Sequence, residues 1–410
     1  MRVMLMASTI KDNWSGGIDN LAPADRLPQP SRADSRGFLR NAVNVDPTPG
    51  GALHLRSGYE QVYAGTAVRG VLKHGRMLLV ADGADLVEFD TRTGGHRVLR
   101  QIAGAGQFVG DTLNGILYFA TGNELLQYDG RDVKPWGVPD VRIQPLPQIG
   151  AGSLRAGHYR LAVTFSDADG REGGTDAPLI FTVPESGGLT VALPEPPSGG
   201  LVNLYASAGD SETLYLQDSS AATKTLTLTA LRDDTRLLST AHLRAPLGGT
   251  RIRTHGAQLA IVSGSTVWLT APMRPHLIDP RRGFFQYPAT VGDLLSAGGW
   301  LYVSADKGYA VAGVASDAPE QREVAEFPCL PGSAVLLPDG RGAWMTRYGQ
   351  AITTGDGGMA MVNREHYAPP LGESGAAGVI EHNGNQLIVT TSRGMGGTNP
   401  RAASDYATWE

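Results

Sequence analysis

The chain has a single cysteine, Cys329, in 410 residues. That scarcity excludes an intramolecular disulfide framework and any zinc site built on several thiolates. Free cysteine is among the most buried residue types, so Cys329 is read as a small core residue and not as a nucleophile. Long apolar runs are also missing, and nothing approaches the ~18 apolar residues of a membrane-crossing helix. The apolar opening, Met1 to Met6, is followed too soon by Lys11 and Asp12 for the ~7–15-residue core of a signal peptide. Basic charge is not in excess: 35 Lys and Arg face 40 Asp and Glu, a formal net charge of -5. Such a balance supplies no global attraction to nucleic acid or to an anionic membrane. The nine histidines are dispersed, with no pair three or four residues apart. Neither a Gly-x-Ser-x-Gly elbow nor a Gly-x-x-x-x-Gly-Lys-[Ser/Thr] phosphate loop occurs. No catalytic residue, cofactor or metal site is expected.

What the chain does have is glycine, 54 residues, and proline, 26. Helical patterning is almost absent, and short apolar runs alternate with Gly, Asp and Asn turns, which means an all-β protein. A strand–turn–strand scheme at 68–100 returns at 106–136, 251–271, 289–312 and 330–362, and more weakly at 375–392. Asn114-Gly115, a strong hairpin signal, and Gly122-Asn123 mark the turns of the second copy. The later copies are spaced close to the ~40–45 residues of a propeller blade. Each unit exposes an apolar face until a neighbour covers it, so the ring must close. The expectation is a five- or six-bladed β-propeller, with strands near 53–63 completing the last blade. The stretch from Thr266 to Val291 reads as a junction between two blades, because Pro272 and Pro275 forbid central ladder pairing and force the chain out of the sheet.

Residues 149–245 break this rhythm with longer alternating strands. Tyr159, Leu161, Val163 and Phe165 alternate with Arg160, Ala162 and Thr164, a strand with one buried face. About 95 residues of this kind suit an inserted immunoglobulin- or fibronectin-like β-sandwich. The organisation expected is an extended N-terminal arm at 1–37, polar and punctuated by Pro23, Pro28 and Pro30, then propeller at 38–148, the insertion at 149–245 and propeller again at 246–410.

Candidate chemistry is sparse. Asp167, Asp169 and Glu172 around Gly170 resemble the start of a calcium loop, but the remaining acidic ligands are missing, so a tight hairpin turn is the reading. Asp356, between Thr354 and Gly358, resembles an Asp-box turn whose Thr-Trp is replaced by Met359-Ala360. Arg274, Arg281 and Arg282 form a basic group on an exposed loop, read either as solvated surface or as a salt-bridged subunit contact.

Three stretches carry a family resemblance. The run Trp268, Pro272, Arg274, Pro275, Asp279, Pro280, Arg281, Phe284 and Tyr287 is similar to one in bacteriophage virion proteins of the tail nozzle or tail hub type. So are the opening Gly17 to Asn20 with Phe38 to Asp46, and the set Tyr159 to Phe165, Asp167 to Glu172 and Asn203 to Tyr205. The resemblance spans about residues 16–290. It implies a non-enzymatic structural subunit, made in the host cytoplasm and assembled into the virion tail. Its expected partners are further copies of itself in a ring, six by resemblance, other virion proteins such as a portal adaptor, tail tube or tail fibres, and DNA that passes through without specific binding. A receptor- or glycan-binding, or glycan-cleaving, propeller at the tail tip is the alternative; cleavage would need paired carboxylates.

Overall fold

The computed structural model describes residues 13–28 and 36–403, apart from 49, 57, 59, 103–105, 123, 223, 233–235, 383–384 and 395–396. Met1 to Met6, Lys11, Asp12, Pro30 and Asn123, used in the sequence reading, lie outside the described residues. The described chain is all-β and built largely from four-stranded antiparallel meanders, a propeller-like arrangement. It forms two compact units: residues 65–291, and the residues up to Ala64 together with those from Gly292.

In the unit 65–291, sheet A comprises Val68–His74, Met77–Asp82, Asp85–Asp90 and His96–Gln101. Sheet B comprises Phe108–Leu113, Ile116–Thr121, Leu125–Tyr128 and Val133–Pro135. Asn114 and Gly115 close a two-residue hairpin with φ of 51° and 80° between the paired Leu113 and Ile116, the mirror-image turn whose twist matches the strands. Leu79 and Leu86 of sheet A pack on Leu117, Phe119 and Leu126 of sheet B. Each such fully buried side chain is worth about 1.5–3 kcal/mol. Sheet C holds Arg251–His255, Gln258–Ser263 and Thr266–Ala271, and its Ile252, Leu259 and Ile261 share a core with Leu113, Tyr118 and Trp136. Polar clips align the inner strands. The Thr254 amide donates to Asp111 Oδ2 at 2.8 Å, and a ring nitrogen of His74 meets the Gly115 carbonyl at 2.7 Å.

The stretch from Thr266 to Val291 is not a junction between sheets. Arg274–Ile278 and Phe284–Gln286 both pair with Thr266–Ala271, the former against Ala271 and Thr270, the latter against residues 266–268. The prolines do not expel the chain, because Pro272 sits in the hairpin turn and Pro275 on an outer strand, where no ladder donor is required.

Between sheets B and C in sequence lie two more sheets. One orders Gln148–Leu154, Gly187–Ala192 and Thr225–Leu228; the other orders Leu179–Val183, Gly157–Ser166, Leu201–Ser207 and Leu214–Ser220. They enclose one core of Leu154, Tyr159, Leu161, Val163, Leu189, Val191 and Leu204. The expectation of a single buried face on Gly157–Ser166 is only half met. Ala162 joins Tyr205 and Leu214 on the opposite side, covered by Leu238, while Thr164, Ser166 and Asn203 form a buried hydrogen-bonded set there. The cause is the returning connector, whose Leu238 amide donates to Leu214 and whose Arg236 carbonyl accepts from Leu216.

In the other unit, sheet D comprises Asp293–Ala297, Trp300–Ser304, Gly308–Ala312 and Glu320–Ala325. Sheet E comprises Val335–Leu336, Gly342–Thr346, Gly349–Thr353 and Met359–Met361. Cys329 is buried in their shared core with Leu295, Tyr302 and Trp344. Asp293 Oδ2 accepts the amides of Gly332 and Ala334 at 2.8 and 2.9 Å, fixing the entry to sheet E. A two-stranded sheet of Ser374–His382 and Asn385–Arg393 follows. Leu53–Leu55 pairs with Val45–Pro47 and, among the described residues, not with that last sheet; the expected completion of a last blade by strands near 53–63 does not occur there.

The N-terminal segment is no loose arm where it is described. Asn20 is held from both sides: its amide and side chain bond His366 O and Ala368 O, and its side-chain and main-chain carbonyls accept from the Ala368 and Ala403 amides, all at 2.8–2.9 Å. Asp19 meets His366 at 3.0 Å. Its low apolar content suits an extended arm, and where it is described main-chain and amide hydrogen bonding fastens that arm.

Candidate functional site

Arg274, Arg281 and Arg282 occupy the outer border of sheet C but do not act as one group. Arg274 Nη1 donates to the carbonyl and hydroxyl of Ser239, both at 3.1 Å. Arg281 and Arg282 turn back on Asp279 at 3.1 and 3.3 Å. Burial disfavours the Asp279 carboxylate, yet Arg281 and the local amide outweigh it and hold the carboxyl below its ordinary range. Arg281 and Arg282 remain largely exposed, at 56% and 79% of their side chains. They therefore present an Asp279-centred ion triad to the outside, with one surplus positive charge.

The turn Asp167–Glu172 is a joint and not a cation loop. Its three acids diverge: Asp167 pairs with Arg171 at 2.6 Å, Asp169 with Lys134 at 3.0 Å, and Glu172 accepts from Tyr205 at 2.8 Å. Arg171 also donates to Gln127 Oε1 at 3.1 Å and to the carbonyls of Trp136 and Pro135 at 2.9 and 3.2 Å. One guanidinium thus ties this turn to sheet B. Beside it opens a cleft of about 680 Å³ walled by Pro135, Val138, Pro139, Pro197 and Pro246. Its four charged lining residues, Lys134, Asp167, Asp169 and Arg171, are already paired with one another.

His276 completes the joint, with Nε2 3.2 Å from the Glu172 carbonyl. Burial, then the nearby Arg171, lowers its pKa from 6.5 to about 4. An unfolded imidazole takes up its proton below the ordinary value, whereas folded His276 resists until about 4. Its stabilising share is therefore present above about 6.5 and declines as pH falls from there toward 4. Allowing for partial solvent screening, acidification over that window is expected to cost about 2 kcal/mol. Urea titrations at several pH values check this, and His276→Gln should flatten the profile. An unchanged slope in that variant would assign the pH dependence elsewhere.

Other sequence candidates are similarly engaged. Asp356 Oδ1 accepts the Gly358 amide at 3.1 Å and binds the Thr354 hydroxyl, capping its own turn. Among the described residues no cluster of three or more His, Cys, Asp or Glu could hold a metal ion. Sequence reading missed one group altogether. Arg347, Arg364 and Arg401 converge on Tyr348; no motif links positions so widely separated in the chain.

No family model matches the chain, and no curated protein matches it. Solved structures with similarity over most of its length include the extracellular domain of the one-component system BT4673 from B. thetaiotaomicron, at 11% identity and a TM-score of 0.24. That match covers 87% of this chain, which spans only 61% of the BT4673 chain. The N-terminal domain of Nup159 matches at 12% identity over 80% of this chain and 73% of its own, with a TM-score of 0.30. BBS1N in complex with ARL6DN matches at 10% identity over 85% and 98%, again with a TM-score of 0.30. Scores of this size assign neither family nor function, and none of these proteins is a phage tail nozzle.

Proposed function

We propose that this protein is a structural, non-enzymatic subunit of a tailed-phage virion. It forms a tail nozzle or hub ring, of six copies, that prolongs the channel for DNA ejection. In this reading sheets A to E are blades of a five- or six-bladed propeller, and the sandwich within 149–245 is an immunoglobulin- or fibronectin-like insertion. The observation that carries the proposal is the use made of the ionic groups. Asp167, Asp169, Glu172, Asp279, Asp293 and Asp356 each brace a turn or a sheet boundary, the wiring of a rigid conduit wall. The motif resemblance at 266–287 and 159–205 points the same way.

DNA passes such a channel without being held, because many phosphate contacts would make a strongly salt-dependent sticking point; the acidic balance of the chain favours passage. The Asp279, Arg281 and Arg282 triad is assigned to the contact between neighbouring copies. Heterologous contacts close into a ring only when the rotation fits. Cryo-electron microscopy of the phage particle should find cyclic copies around an axial passage, and Arg281→Glu with Arg282→Glu should reduce assembly of the purified protein while leaving its melting cooperative. A monomer, or a trimer at a fibre tip with no passage, overturns the nozzle assignment in favour of receptor binding.

A further inference from the structure

Arg347 and Tyr348 form the two-residue turn between Gly342–Thr346 and Gly349–Thr353, where Thr346 pairs with Gly349. The Tyr348 amide donates to Thr346 Oγ1 at 3.1 Å, which fixes the ring's base. Phe327 packs on the ring at a centroid distance of 4.4 Å. Around the same ring stand three guanidinium groups, 4.8 Å from its centre for Arg347, 5.3 Å for Arg364 and 5.0 Å for Arg401. Arg347 Nη2 also donates to the Tyr348 hydroxyl at 2.6 Å.

The convergence is built and not incidental. Asn399, 4% exposed, donates to the Arg347 carbonyl at 2.7 Å and to the Pro369 carbonyl at 3.0 Å, while its Oδ1 accepts the Arg401 amide at 3.1 Å. Arg401 Nη2 in turn donates to the Arg364 carbonyl at 2.5 Å. One buried amide thus sets the backbone of two arginines, and the second of these braces the third.

Two features of this assembly are uncompensated among the described residues. No carboxylate pairs with any of the three arginines, although Glu365 adjoins one of them in sequence. Attraction to the ring face offsets only part of the mutual repulsion of three like charges. In addition, Arg401 Nη1 is buried and has no hydrogen-bond acceptor, an arrangement that folded proteins rarely leave unmatched. A single anionic group that accepts several N–H bonds answers both.

We propose that Arg347, Arg364, Arg401 and the Tyr348 hydroxyl form a binding site for a phosphate-class oxyanion. Planar guanidinium forks match phosphate oxygens bidentately. A planar carboxylate presents its two oxygens in one plane, whereas a phosphate group is tetrahedral and presents oxygens in several directions, as donors converging from three segments require. The site stands apart from the nozzle assignment and can be tested without it.

The test is binding to the purified full chain at constant ionic strength, with chloride as the reference anion. Inorganic phosphate is one arm, and a short oligothymidine with hydroxyl ends, which offers only phosphodiesters, is the other. Isothermal titration should detect millimolar or tighter binding in one arm, and which arm responds identifies the free or the polymer-borne source. Arg364→Gln and Arg347→Gln, both at exposed side chains, should each weaken that binding by about tenfold, as expected for loss of a charge-assisted hydrogen bond. Arg401→Gln should do so more strongly, but it also touches the Arg364 backbone, so the first two variants decide. Absence of binding in both arms, or unchanged affinity in Arg364→Gln and Arg347→Gln, overturns the proposal.

Discussion

Asn20→Ala should destabilise the protein by about 2–4 kcal/mol, as two side-chain hydrogen bonds to Ala368 are lost and their buried partners are left unmatched. A variant lacking the first 28 residues should lose more, because the Asp19 contacts and the main-chain bonds of Asn20 go with it. The measurement is the urea midpoint at neutral pH. Neutral pH matters because of Asp19. Burial opposes its ionisation, but His366 and the Ala22 and Leu21 amides prevail and hold the carboxyl below its ordinary 3.8. That contribution is complete above the ordinary value and fades only as pH falls through the lower folded one. If the shortened chain unfolds at the wild-type midpoint, the segment is an appendage after all and is free to serve contacts between copies.

The second large effect is expected at Arg171. Arg171→Met keeps the length of the side chain but removes donors to Asp167, Gln127 and the Trp136 and Pro135 carbonyls. With the Arg171 and Asp167 side chains each about one-fifth exposed, the loss should be about 2–4 kcal/mol, between a surface pair and a fully buried one. A double-mutant cycle with Asp167→Asn should show strong coupling, since each single change strands the other partner. Near-additive behaviour would mean that the guanidinium acts through its contacts on sheet B alone.

How far the molecule could be read from its residues depends on range. Asn114-Gly115 was legible because the turn's chemistry lies within the dipeptide itself. The alternation of Tyr159, Leu161 and Val163 revealed the core face of that strand, but the reverse face is closed by Arg236 to Leu238, some 70 residues later, which no local period reports. Pro275 misled for a related reason: proline excludes a central strand, not an outer one, and only the ladder tells them apart. The arginines were weighed by adjacency, which singled out Arg281 and Arg282. Those two share the carboxylate two and three residues back. The more unusual assembly gathers Arg347, Arg364 and Arg401 from three separate segments.

The fastening of Asn20 to Ala368 and Ala403 also sets an order of synthesis. The unit 65–291 is continuous and can fold once its own residues have left the ribosome, whereas the other unit joins chain ends separated by that entire block. Between emergence of Asn20 and of its last partner lie nearly the whole chain and, at 5–20 residues per second, on the order of 20–80 s. Throughout that interval Trp14, Leu21 and Phe38 are available to chaperones, and the segment around Asn20 is among the last to gain protection from proteases.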